Sequence, residues 1–143
     1  MNNNDIYVVS AVRSAIGTFG GSLKDLPLAD LATQVTRAAL ERSGVAPEQI
    51  GHVVMGNVIP TEARDAYLGR VAAMNAGIPK ETPAFNVNRL CGSGLQAIVS
   101  AAQTLQLGEA EAVIAAGAES MSRGPYLLTQ ARWGARMGDM KSI

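Results

Sequence analysis

From Cys91 to Gly108 the chain carries no charged side chain. Leu95, Ile98, Val99, Ala102 and Leu105 spread around a helical wheel, alanine fills much of the rest, and Gly108 supplies a stop. A helix that is apolar nearly all round belongs in an interior. Burying this one needs material on both sides, more than the rest of the chain obviously supplies. Whatever the fold, it has to place residues 92–107 between layers.

The remaining pattern says what those layers are. Residues 6–12 form a short run rich in Val and Ile that reads as a buried strand. Leu28, Leu31, Ala32, Val35 and Ala39 recur at helical spacing, with Gly44 behind them as a C-terminal stop. A second strand is expected over 52–59, closed by Pro60, and a second helix over 67–76, ended by Gly77 and Pro79. Residues 84–88 read as a third strand and 112–118 as a fourth, with Glu119 and Ser120 at its exit. The order βαβαβαβ implies an α/β fold with a mostly parallel sheet and right-handed crossovers. Strands that are apolar without alternation agree, because parallel strands are covered on both faces. Residues 126–133 resemble the start of a further element, and 134–143 read as loop with no closing strand or docking helix.

With 143 residues the chain is long enough for one cored domain. Twelve basic side chains balance twelve acidic ones, which gives no reason to expect nucleic acid or a membrane surface as partner. A single cysteine excludes an internal disulfide framework, and with His52 as the one histidine a structural zinc site is not expected. The N-terminus shows neither a signal peptide nor a transit peptide, and no apolar run approaches the ~20 residues of a membrane span. A cytoplasmic domain is the expectation.

Cys91 stands where the third strand turns into the uncharged helix. The thiolate is the nucleophilic form of cysteine, and a helix N-terminus offers roughly half a positive charge and free N–H donors to favour it. Gly92, Ser93 and Gly94 leave room for a bulky substrate, and the following N–H groups suit a developing oxyanion. A free cysteine is also a common small core hydrophobe, so position carries the catalytic reading here. His52, at the start of a strand, lies at the end opposite to the one where parallel sheets hold ligands. It reads as a structural histidine, which leaves Cys91 without an obvious base. Residues 17–21 and 92–94 are poor phosphate loops. Glu119 and Ser120 are either functional residues at a strand exit or loop hydrogen-bonding groups. Arg64, Asp65 and Arg70 read as a solvated or interface face, and Arg123, Arg132 and Arg136 make the tail mildly basic.

The run Val87-Asn-Arg-Leu-Cys91-Gly-Ser-Gly-Leu-Gln-Ala97-Ile98 closely resembles the nucleophile signature of the thiolases, the acetyl-CoA acetyltransferases or β-ketothiolases. Val9-Ser-Ala-Val-Arg-Ser-Ala-Ile-Gly-Thr-Phe-Gly-Gly21 is similar to that family's opening strand and loop, Gly56-Asn57-Val58 to its second strand, and Ala115-Ala-Gly-Ala-Glu-Ser-Met-Ser122 to its exit into the CoA-binding loop region. The resemblance implies a two-step acyl transfer that forms or cleaves 3-ketoacyl-CoA. Cys91 is its nucleophile and carries the acyl-thioester. It further implies acetyl-CoA and other acyl-CoA thioesters as substrates, no resident cofactor or metal, and a homodimer or homotetramer.

Thiolases have two similar halves in an α-β-α-β-α layering. The second half carries Gly-His-Pro, Asn-Glu-Ala-Phe and Cys-x-Gly motifs, none of which occurs here. On this reading residues 1–120 are the N-terminal core half, 121–143 begin the CoA-binding loop region, and a C-terminal half is absent. The missing base and the uncovered helix both point to the first part of a longer polypeptide. The contrasting expectation is a non-enzymatic dimerisation or binding module with a silent cysteine, pairing through the strand at 85–88. A cysteine redox or hydrolase domain is disfavoured by the lack of a resolving cysteine and of a paired His and Asp.

Overall fold

The computed structural model describes residues 5–143. Helix α1 (Leu28–Ser43) follows Pro27 and ends on Gly44, whose φ of 69° is the left-handed conformation a helix stop needs. Asp30 in its first turn and Arg42 in its last match the helix dipole. Strand β1 (Ile50–Gly56) precedes α2 (Leu68–Asn75), β2 (Ala84–Val87), α3 (Ser93–Gln106) and β3 (Ala112–Gly117). The boundaries of these three strands lie within three residues of the sequence expectation.

The three strands form one parallel sheet in the order β2-β1-β3, with β1 at its centre. The burial of β1 explains its unbroken apolar sequence. Met55 packs into a cluster with Leu28, Ala32 and Leu68 from α1 and the start of α2. Val53 joins Leu40, Ile50, Ala73 and Ile78 nearer the strand's beginning. Val54 points the other way, onto Ala97 and Ala101 of α3. The result is an α/β/α arrangement, with α1 and α2 on one face and α3 on the other.

Residues 6–12 depart from expectation. They enter no ladder, and Tyr7 and Val8 are 73% and 82% exposed. An apolar, β-branched composition signals a preference for burial, whereas a strand exists only when a partner edge closes its hydrogen bonds. Here the segment bonds to neither free edge of the sheet. With α1 and β3 it walls an open cleft of about 980 Å³. Its following loop is tied down at one point, where Gly20 N–H donates to Ser122 Oγ at 2.9 Å.

Helix α3 is covered on one face only, not placed between two layers as its sequence leads one to expect. Ala97 and Ala101 are buried against the sheet, while Leu95 and Ile98 are 69% and 56% exposed. One side of the uncharged helix has found its layer and the opposite side has none among the described residues.

Candidate active site

The turn from β2 into α3 is built by short polar side chains. Asn88 Oδ1 accepts the N–H of Leu90 at 3.0 Å. Ser93, buried beneath the turn, accepts the Arg89 N–H at 2.8 Å and donates to the Leu90 carbonyl at 2.7 Å. Gly92 N–H bonds back to the Arg89 carbonyl and Ser93 N–H to that of Leu90, both at 3.0 Å. Held at both ends, Leu90 adopts a φ of 50°, the only non-glycine with positive φ among the described residues. Such a conformation persists only where surrounding bonds over-determine it.

Cys91 follows directly. It is a free, exposed thiol at the N-terminus of α3. That terminus is pressed onto the C-terminal ends of the strands, the end at which parallel sheets place ligands. Gly56, the last residue of β1, makes the approach possible. A Cβ there would lie 2.7 Å from the Ser93 carbonyl carbon and 2.9 Å from Gly94 N. Nothing lies within 4 Å of where a Cβ of Gly94 would sit, so the space beside Cys91 is open.

The other candidates fall into place around it. Glu119, just beyond β3, accepts the Val58 N–H through Oε2 and the Ile59 N–H through Oε1, each at 2.9 Å. The loop-holding alternative describes it. Ser120 accepts the Arg123 N–H through its carbonyl at 3.1 Å. His52, on the first half of β1, sets its ring edge-on against Phe85 at 5.3 Å. It is on the strand half remote from Cys91. Arg123 pairs with Glu62 at 3.6 Å, and Arg132 and Arg136 are exposed. No group of three or more His, Cys, Asp or Glu capable of holding a metal occurs among the described residues.

The expected solvated or interface face of Arg64, Asp65 and Arg70 needs correction. Asp65 is wholly buried, and its Oδ2 accepts from Thr61 N–H, Thr61 Oγ and Glu62 N–H at 2.8, 2.6 and 3.2 Å. Arg70 donates to the carbonyls of Thr82 and Lys80 at 2.9 and 2.7 Å, fastening the loop before β2. Only Arg64 behaves as read, in exposed pairs with Glu62 and Asp30. Its pKa is raised from the ordinary arginine value, first by the hydrogen bond its Nε donates to Glu62 and then by that residue's charge.

Sequence reasoning missed Asn57, Asn88 and Leu90, and it read Ser93 as clearance where the side chain is buried and bonds the turn. Asn57 is buried, donates its N–H to the Val87 carbonyl at 3.1 Å and its Nδ2 to the Ala118 carbonyl at 3.0 Å, and so joins the exits of all three strands. An Asn two residues before a turn is a usable signal for Asn88, because Asx side chains bond their own backbone two residues on.

Residues 6–143 match the family model described as the thiolase N-terminal domain. The chain is 64% identical over 135 residues to beta-ketothiolase BktB of Cupriavidus necator, covering 94% of this chain and 34% of that protein. It is 44% identical over 133 residues to the mitochondrial 3-ketoacyl-CoA thiolase of Homo sapiens, covering 93% and 34%. The crystal structure of the human mitochondrial 3-ketoacyl-CoA thiolase in complex with CoA superposes with a TM-score of 0.90 at 45% identity, over 94% of this chain and 34% of that one. The acetyl-CoA acetyltransferase structure from Bacillus anthracis gives 0.89 at 43% identity, with the same coverage. The chain thus spans about a third of the length of the relatives it matches. A parallel sheet with a cysteine-headed helix at its ligand-binding end and a family match over 6–143 lead to one conclusion: the chain belongs to the thiolase family, of which it is an N-terminal domain.

Proposed function

We propose that this chain is the nucleophile-bearing part of an acyl-CoA C-acyltransferase that forms or cleaves 3-ketoacyl-CoA through an acyl-cysteine at Cys91. The observation that carries the reading is the exposed thiol on a constrained turn, at a helix N-terminus and at the ligand end of the sheet. The thiolate attacks the thioester carbonyl of acyl-CoA, the bond to the CoA sulfur breaks, and CoA leaves as a thiolate that takes up the proton Cys91 gave away. In the second step a base removes an α-proton from another acyl-CoA. The carbanion attacks the acyl-cysteine, and the Cys91 thiolate leaves. His52 is too far along β1 to act as that base, so we assign it, the second cysteine and the rest of the acyl pocket to a C-terminal half of the polypeptide. Residues 121–143 begin the segment that meets CoA. We further propose a cytoplasmic homodimer or homotetramer.

Incubating the full-length protein with radiolabelled acetyl-CoA and isolating the Cys91 peptide tests the first step. Wild type should carry one acetyl group on that peptide and Cys91→Ser none. Label retained by the serine variant would sink the assignment. A second reading, an inert pairing module, is favoured by the open outer edge of β2 and by Phe85, 42% exposed on it. A stable dimer whose Cys91 resists iodoacetamide would support that alternative.

A further inference from the structure

Glu119 stands out because the acyl-transfer reading has not used it and because it lies far from Cys91 in the chain. Both carboxylate oxygens are turned into the 57–59 loop, where each accepts one backbone N–H at 2.9 Å. Carboxylate–amide bonds of this kind are charge-assisted and among the stronger ones a protein makes. Oxygens so engaged hold a loop and are poorly disposed to abstract a proton. The loop they hold reaches the nucleophile turn directly. The Val58 carbonyl accepts from Asn88 Nδ2 at 3.2 Å, and Asn88 Oδ1 accepts from Leu90 N–H at 3.0 Å. Ser93 secures the far side of Leu90 through its carbonyl at 2.7 Å.

We propose that Glu119 is a positioning residue for Cys91, acting through the 57–59 loop and Asn88 to keep Leu90 left-handed and the thiol aimed along the α3 terminus. The proposal rests on the reading of Cys91 as nucleophile. Leucine leaves the left-handed region readily when its restraints are cut. With Glu119 gone, Val58 and Ile59 lose their acceptor, the Val58 carbonyl swings, and Asn88 is freed. Leu90 then relaxes to negative φ, which turns Cys91 away from the helix axis. Asn57 loses the long 3.4 Å bond from its Nδ2 to Glu119 Oε1 but keeps its bonds to the Val87 and Ala118 carbonyls, so the sheet itself stays closed.

The test is a double-mutant cycle in the full-length protein. Iodoacetamide alkylation of the Cys91 peptide is followed by mass spectrometry beside the rate of acetyl labelling. Glu119→Gln and Asn88→Ala should each slow both rates by about tenfold, the loss of one such bond. Acting along one chain of contacts, they should be non-additive, with the double variant no slower than the slower single. Thr82→Val serves as a control. It breaks the 2.9 Å bond to the Ile50 carbonyl at the far end of β1 and should lower the unfolding midpoint while leaving both rates unchanged. If Glu119→Gln fails to fold, Glu119→Asp keeps the charge, loses reach, and should slow alkylation less. Wild-type rates in Glu119→Gln, additive effects, or equal slowing by the control would each overturn the proposal. Acetyl label persisting in Cys91→Ser would instead overturn the nucleophile reading, a result the alkylation cycle does not depend on.

Discussion

Leu90 and Asp65 show how much of this protein turns on single residues whose types are wrong for a naive reading. Leu90 holds a φ of 50° that glycine would adopt freely. Replacing it with glycine removes a backbone conflict of about 1–2 kcal/mol, and the added freedom of the unfolded chain offsets about 0.5–1 kcal/mol. Urea unfolding of Leu90→Gly should therefore show a stability between that of wild type and about 1.5 kcal/mol above it. Leu90→Val, β-branched, should be destabilised by at least about 1 kcal/mol. Asp65 is the opposite case, a charged residue with no exposure. Asp65→Ala leaves three donors around Thr61 and Glu62 without their acceptor. It should cost about 2–4 kcal/mol by the same assay. Its burial was illegible in the sequence because a carboxylate between two arginines reads as a solvent-facing charge. Only the folded loop shows that the three donors converge on it.

At the level of elements, the approach of β1 to α3 is the tightest joint. Gly56→Ala would push a methyl against the Ser93 and Gly94 backbone, atoms that cannot rotate away. A loss of about 1–3 kcal/mol is expected, as for other overpacked sites, together with slower alkylation of Cys91 as the α3 terminus is displaced. Unchanged alkylation in a destabilised Gly56→Ala would separate the joint from the site. The helices were readable because glycine marks their ends. Gly44 and Gly108 have φ values of 69° and 71°, the conformations a helix stop demands. The central strand was readable because both of its faces are buried. Residues 6–12 were misread because hydrophobic composition reports a wish for burial and carries no information about which edge completes the ladder. Cys91 could be singled out from its place at a strand-to-helix junction. Its supports could not, since Asn88 and Ser93 look like ordinary turn residues until their partners are seen.

Taken whole, the molecule is a layered unit with faces left open. Leu95 and Ile98 on α3, and the outer edges of β2 and β3, are uncovered among the described residues. Exposed apolar faces and unpaired edges promote association. Light scattering of this chain alone should show growth with concentration, and Phe85→Lys on the β2 edge should suppress part of it. A monodisperse chain unaffected by that change would show that neither edge is sticky.

The single thiol has a further consequence, for covalent stoichiometry. Cys91 is the chain's only cysteine and is exposed. In air it can join one other copy through a disulfide and then has nothing left to extend the linkage. A non-reducing gel of the oxidised chain should therefore stop at two copies, and the same bond would cap the sulfur proposed above to carry the acyl group.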